Sequence, residues 1–153
     1  MDDLTRGKKM ALRLLAARMY TAEEVADRLV RKGIGRMAAE EVVSELVSGG
    51  IIDDKYYAEC YINDAVKIGR KGSYRIRQEL LRKGLPKAVI DRAFDEADVD
   101  FYAALREYVS DKLSVTDISS RRDYERFRAM LARRGYTLDE IRSVLDEYEF
   151  DFE

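Results

Sequence analysis

The chain has 153 residues, 46% hydrophobic and 38% charged, with a net charge of −2, which supports a packed core under solvated faces in one domain or a short array. With no His and a single cysteine, Cys60, it excludes His-based triads, most zinc sites and an internal disulfide, and it fits a reducing cytoplasm. No apolar run approaches the roughly 18 residues that cross a bilayer, and nothing resembles a signal peptide.

Residues 1–9 are polar and charged and read as a frayed, flexible N-terminus. A short helix is expected over Met10 to Arg18. Thr21-Ala-Glu-Glu24 spells a capping box, in which the hydroxyl takes a helix N–H and the glutamate reaches back to the cap. Val25, Leu29 and Val30 stripe the second helix, and Gly33 ends it through a left-handed C-cap. Val42, Val43, Leu46 and Val47 stripe a third helix, which closes at Gly49-Gly50. This first group spans residues 10–52.

Asp53-Asp54 opens the second group, residues 53–97, where acids suit a helix N-terminus. Tyr57, Cys60/Tyr61, Ala65 and Ile68 mark one face, with Cys60 in a core or half-buried place. Gly69 and Gly72 break the chain. Tyr74, Ile76, Leu80 and Leu81 lead to Gly84, Pro86 suits the first turn of a further helix, and Val89, Ile90, Ala93, Phe94 and Ala97 line it. The third group, residues 98–153, carries Phe101, Leu105, Tyr108, Val109 and Leu113 on its first stripe. A polar connection follows over 114–120, then Tyr124, Phe127, Met130 and Leu131 on the middle helix. Thr137-Leu-Asp-Glu140 is a second capping box, ahead of Ile141, Val144, Leu145 and Tyr148. The reading is all-α: three tandem three-helix repeats without strands.

The repeat is visible in the letters. Leu29-Val-Arg-Lys-Gly33, Leu80-Leu-Arg-Lys-Gly84 and Leu131-Ala-Arg-Arg-Gly135 place their glycines 51 residues apart. A period of about 50 residues implies a small unit that buries its apolar face only against its neighbours, so that the molecule grows lengthwise and presents a binding surface. Tyr57-Ala58 and Tyr102-Ala103 are matched as the openings of two units.

Charge is uneven along the chain. Residues 67–92 hold nine Lys/Arg against two acids, a net +7, and residues 93–153 hold sixteen acids against nine Lys/Arg, a net −7. The basic stretch points to phosphates or an acidic protein surface, the plainer reading being solvated helix faces and cations that complement helix dipoles. The candidate contact residues are Lys67, Arg70, Lys71, Arg75, Arg77, Arg82, Lys83 and Lys87, with Arg128, Arg133 and Arg134 from the third group; Arg28, Arg31 and Lys32 recur at the matching place in the first. Arg75, Arg82 and Lys83 roughly share a helix face. The ten tyrosines fall mostly on apolar stripes and read as core. Asp53-Asp54 and the acids from Asp95 to Asp100 lie at helix boundaries and read as caps, not as a metal site. No G-x-x-x-x-G-K-S/T loop occurs. No cofactor, no metal and no enzymatic activity are expected.

Gly50-Ile-Ile-Asp53-Asp54-Lys-Tyr-Tyr57-Ala58, followed by Gly72-Ser-Tyr-Arg75-Ile76-Arg77-Gln78-Glu79-Leu80-Leu-Arg-Lys83-Gly84-Leu85, resembles the signature of the RecX family, and Leu131-Ala-Arg-Arg-Gly135-Tyr-x-x-x-x-Ile141 is similar to its third unit. The likeness covers roughly residues 10 to 148. It departs from the family at Asn63 and Asp64, where many relatives carry an arginine, and at Ser73, where relatives often have Pro. The resemblance implies an elongated, curved molecule. It implies a cytoplasmic monomer that lodges in the groove of the RecA–DNA filament and inhibits RecA's ATPase, strand-exchange and co-protease activities, with possible contacts to single- or double-stranded DNA phosphates. The alternative reading from the residues is an autonomous DNA-binding protein of helix-turn-helix-like units, whose affinity would fall steeply with salt.

Overall fold

A computed structural model describes residues 2–152. Met1, the first residue of the stretch expected to fray, and Glu153, the last of the third group, lie outside the described residues. Nine helices and no strand are found among the described residues: α1 (Asp3–Ala17), α2 (Ala22–Arg31), α3 (Arg36–Ser48), α4 (Asp54–Lys67), α5 (Ser73–Arg82), α6 (Lys87–Ala97), α7 (Phe101–Leu113), α8 (Arg121–Arg133) and α9 (Leu138–Leu145). None is long and apolar enough to cross a membrane.

The 51-residue period governs where helices start and what they bury. α1 and α4 begin at residues 3 and 54, α2 and α5 at 22 and 73, and α3, α6 and α9 at 36, 87 and 138. Leu29, Leu80 and Leu131 are fully buried, and so, within a few per cent, are Val25/Ile76/Phe127, Ile34/Leu85/Tyr136 and Val42/Ala93/Val144. Each buried leucine contributes about 1.5–3 kcal/mol, so these columns outweigh any surface ion pair on the same helices.

The repeated glycine explains how each middle helix ends. Gly33, Gly84 and Gly135 have φ of +97°, +85° and +104°. That turn lets the N–H of Ile34, Leu85 and Tyr136 reach the carbonyls of Leu29, Leu80 and Leu131 at 3.0, 3.3 and 3.3 Å. The same residues therefore close the helix and deliver a buried side chain one step later, as in a Schellman motif.

Both expected capping boxes form: the Thr21 and Thr137 hydroxyls accept from the N–H of Glu24 and Glu140, and the glutamates accept from the threonine N–H groups. The polar connection at 114–120 is non-helical, and Cys60 is half-buried on α4.

Three expectations need correction. α1 begins at Asp3, not Met10, because the Asp2 carboxylate accepts from the Thr5 N–H at 2.8 Å and caps the polar first turn. Tyr57 and Ala58 are buried on α4, but Tyr102 and Ala103 are exposed on α7, where Leu105, Tyr108 and Val109 take the core places; the matching letters stand at different helical registers. The tyrosines divide: Tyr20, Tyr57, Tyr108 and Tyr136 are buried, whereas Tyr56, Tyr74, Tyr102 and Tyr148 are exposed.

The chain forms two compact units, one from Met1–Cys60 with Leu80–Glu96 and the other from Tyr61–Glu79 with Ala97–Glu153. The division falls inside α4 and α5, so each unit holds one link between middle helices. In the first, the Thr21 hydroxyl donates to the Lys83 carbonyl at 2.9 Å, Lys83 lies 3.7 Å from Glu24, and the Ala22 N–H donates to the Asp54 carboxylate at 2.9 Å. In the second, the Gly72 N–H donates to the Arg134 carbonyl at 2.9 Å and the Tyr74 N–H to the Gly135 carbonyl at 3.0 Å. Positions 21 and 83 become 72 and 134 when 51 is added, so the two links join equivalent places.

Candidate functional site

The basic stretch begins where α4 stops. Lys67 ends that helix, and Arg70 turns the loop with φ +52°, a conformation non-glycine residues rarely adopt. The third triplet holds this loop. The Arg134 guanidinium donates to the carbonyls of Gly69 and Arg70, and the Tyr136 hydroxyl donates to the Arg70 carbonyl at 3.1 Å. The Arg70 side chain pairs with Asp111 at 2.9 Å. The guanidiniums of Arg70 and Arg134 stand 5.2 and 5.6 Å from the Tyr108 ring, a cation–π distance. Burial pushes the Tyr136 hydroxyl up to about 12, against the opposing pull of the Arg134 and Arg70 charges.

Glu79 takes two more cations. The Lys71 ammonium lies 2.9 Å from each of its oxygens, Tyr61 donates to it at 2.7 Å, and Arg75 stands 3.5 Å away. Burial alone would raise the Glu79 carboxyl, but the hydrogen bonds from Lys71 and Tyr61 and the charges of Lys71 and Arg75 hold it below its ordinary value. Lys83 pairs with Glu24, with its ammonium 5.9 Å from the Tyr57 ring, and Arg128 pairs with Glu125 at 3.1 Å. Arg75 and Lys83, expected on one face, therefore answer to different carboxylates.

Six of the eleven candidates (Arg70, Lys71, Arg75, Lys83, Arg128 and Arg134) are thus engaged within the fold. Arg77 is half-buried and also engaged. Lys67, Arg82, Lys87 and Arg133 are exposed. Arg82 and Arg133 fall 51 residues apart, and counting back another 51 gives Arg31, which is exposed too. All three stand in the last turn of a middle helix, where a cation also complements the helix dipole. The sequence reading does not assign Asp111, Glu79 and Glu24 as partners of these cations; they lie 41, 8 and 59 residues from Arg70, Lys71 and Lys83, and only the folded backbone brings the distant ones close.

A second column of charge also escaped the sequence reading. Glu45, Glu96 and Glu147, spaced by 51, pair with Lys8 at 3.2 Å, Lys55 at 2.7 Å and Arg106 at 2.7 Å. Each bridge ties the first helix of a triplet to the end of its third. The recurrence of Glu at one spacing was the signal available. The boundary acids serve as caps or bridges: Asp53 accepts from the Tyr56 N–H, Asp100 from the Ala103 N–H, and Glu96 pairs with Lys55. A groove of about 880 Å³ between α1 and α3, crossed by the Lys8–Glu45 pair, is lined by none of the eleven candidates.

Comparison with known proteins identifies the arrangement. Residues 8–46 match the model of the first RecX three-helix domain and residues 53–93 that of the second. A regulatory protein RecX of Halorhodospira halophila is 34% identical over 88% of this chain and 83% of its own length, and one of Trichlorobacter lovleyi is 33% identical over 90% and 92%. The RecX of Geobacillus kaustophilus is 32% identical over 94% of this chain, which spans only 54% of that relative. The crystal structure of RecX from Lactobacillus salivarius superposes with a TM-score of 0.77 at 26% identity, covering 95% of this chain and 96% of that one.

Proposed function

The chain belongs to the RecX family of regulatory proteins, and from that premise we propose that it regulates RecA by binding the RecA–DNA filament. In this reading the protein lodges in the filament groove as a cytoplasmic monomer. It slows RecA's ATPase and limits strand exchange and co-protease activity by holding neighbouring protomers in one arrangement. It performs no covalent step of its own. Three tandem repeats, 10–52, 53–97 and 98–153, would each present a contact, and weak contacts on successive protomers would add through effective concentration.

The observation that carries the reading is the column Arg31, Arg82 and Arg133: one exposed cation at the same position of every triplet. Repeated cations suit a repeated anionic partner, whether DNA phosphates or acidic side chains. Lys67 and Lys87, also exposed, would be further contacts. Arg70, Lys71, Arg75, Lys83, Arg128 and Arg134 would support it by fixing loop 69–72 and the helix ends, not by touching the partner.

Single-stranded-DNA-dependent ATP hydrolysis by RecA, measured with and without the protein, tests this. The expected result is inhibition at stoichiometric amounts, weakened by combined Arg31→Ala, Arg82→Ala and Arg133→Ala; unchanged hydrolysis at excess protein would sink it. A mobility shift on naked DNA addresses the alternative of an autonomous DNA-binding protein. The net charge of −2 and the internal pairing of six basic candidates favour weak, strongly salt-dependent binding there.

A further inference from the structure

The third triplet is acidic by composition, but its middle helix is not. α8 carries five arginines, Arg121, Arg122, Arg126, Arg128 and Arg133, against the acids Asp123 and Glu125. Arg121 and Arg128 share Glu125, at 4.0 and 3.1 Å. The other three, Arg122, Arg126 and Arg133, are exposed and stand in no ion pair among the described residues. The charge of Arg126 reaches Asp123, whose carboxylate is taken up by the N–H and hydroxyl of Ser119 at 3.3 and 3.4 Å.

Spacings of four and seven residues put these three arginines on one helix face, within about 40° around the axis and rising by about 6 Å and then about 10 Å. The matching face of the second triplet is neutralised. Subtracting 51 gives Lys71, Arg75 and Arg82, of which Glu79 holds the first two. Adding 51 to Glu79 gives Met130, which packs half-buried against the core with its sulfur 3.6 Å from the Tyr108 hydroxyl. The change from carboxylate to thioether at this one position leaves the row on α8 charged.

What the row lacks points to its partner. Among the described residues, no large apolar side chain of α8 is exposed; between Arg126 and Arg133 that face holds Ala129. A protein partner, a second copy included, needs an apolar centre and about 800 Å² on each side. A phosphodiester backbone needs neither and is held by repeated cations. No ring lies in the row either. Phe127 is buried, and Tyr124, half-buried on another face of α8, has the rings of Phe150 and Phe152 at 5.0 and 5.6 Å. Sites for single strands add rings on which bases stack, whereas a duplex keeps its bases inside and offers its phosphates.

We propose that Arg122, Arg126 and Arg133 of α8 bind the phosphate backbone of duplex DNA without reading its sequence. The contact shares Arg133 with the column Arg31, Arg82 and Arg133, but it does not depend on the RecA reading.

The test is binding of the full chain to a short labelled duplex, without RecA, by fluorescence anisotropy over a series of salt concentrations. The logarithm of the binding constant should fall against that of salt by about 0.9 per phosphate engaged. Arg122→Gln with Arg126→Gln should make that slope shallower by about 2 and weaken binding about tenfold or more at the lowest salt, with unchanged circular dichroism. Arg126→Gln alone should take away about half of that change in slope and keeps the test valid if the double variant fails to fold. Arg121→Gln, the same charge change off the row, should leave the slope as it is. No duplex binding by the wild type, or equal slopes for wild type and both row variants, overturns the site and leaves the RecA reading standing. Tighter binding of a single-stranded oligonucleotide, lost in the same variants, overturns the choice of duplex. Self-association in sedimentation that the double variant abolishes would assign the row to a second copy and overturn the choice of DNA.

Discussion

The link between α2 and α5 is made by side chains, through Thr21 and Glu24, whereas the link between α5 and α8 is made mostly by backbone, through Gly72, Tyr74, Arg134 and Gly135. The positions are equivalent, so the geometry of docking is conserved while its chemistry is not. A side-chain link tolerates substitution of one partner at the cost of a hydrogen bond. A backbone link has no group to lose, but it forbids a Cβ where two main chains cross.

The comparison breaks most sharply at Gly72. A Cβ there would collide with the carbonyl carbon and oxygen of Gly135 and the nitrogen of Tyr136, all of them backbone. Gly72→Val is expected to cost about 3 kcal/mol or more in urea denaturation, a steric loss that main chain relaxes poorly. A loss under about 1 kcal/mol would mean the crossing is looser than described.

On the side-chain link, Thr21→Ala removes both the cap of α2 and the hydroxyl donated to the Lys83 carbonyl, so about 2 kcal/mol is expected by the same assay. Thr21→Ser should recover most of it. Arg134→Lys keeps the charge but loses the planar fork that reaches two carbonyls of loop 69–72; about 1 kcal/mol is expected.

Two smaller effects show as pH dependence. The Glu79 carboxyl is depressed in the folded state, so its contribution is present above its ordinary value, about 4.3, and is lost as pH falls through the lower folded value. Glu79→Gln should therefore flatten the acid limb of stability against pH, with little change in slope at alkaline pH. Tyr136 is raised in the folded state to about 12, so its contribution is complete below the ordinary value and is lost as pH rises from about 10 towards the folded value. Tyr136→Phe should remove that alkaline decline; an unchanged decline would place its cause elsewhere.

Much of the fold was legible in the sequence because its determinants are local. A left-handed C-cap needs glycine, so Gly33, Gly84 and Gly135 announce three helix ends and the period between them. The two threonine boxes announce helix starts for the same reason. α1 was read too short because its first residues are polar and charged, whereas the Asp2 cap starts the helix at Asp3 and Gly7 inside it packs close to Val42 and Ile34. The candidate surface was less legible. Composition shows nine cations in a row of 26 residues, but not that Glu79 holds Lys71 and Arg75 or that Asp111 holds Arg70. Those neutralisations depend on tertiary closure, and loop 69–72 is pinned largely through carbonyls, which carry no side-chain signature. Position within the repeat separated the cations better than composition did.

The most direct measurement is cryo-electron microscopy of RecA–single-stranded-DNA filaments mixed with this protein. The expected result is helical density for this protein in the filament groove, with Arg31, Arg82 and Arg133 directed at phosphates or acidic side chains of successive protomers. Bare filaments at saturating protein, or bound protein with those three arginines turned to solvent, would contradict it.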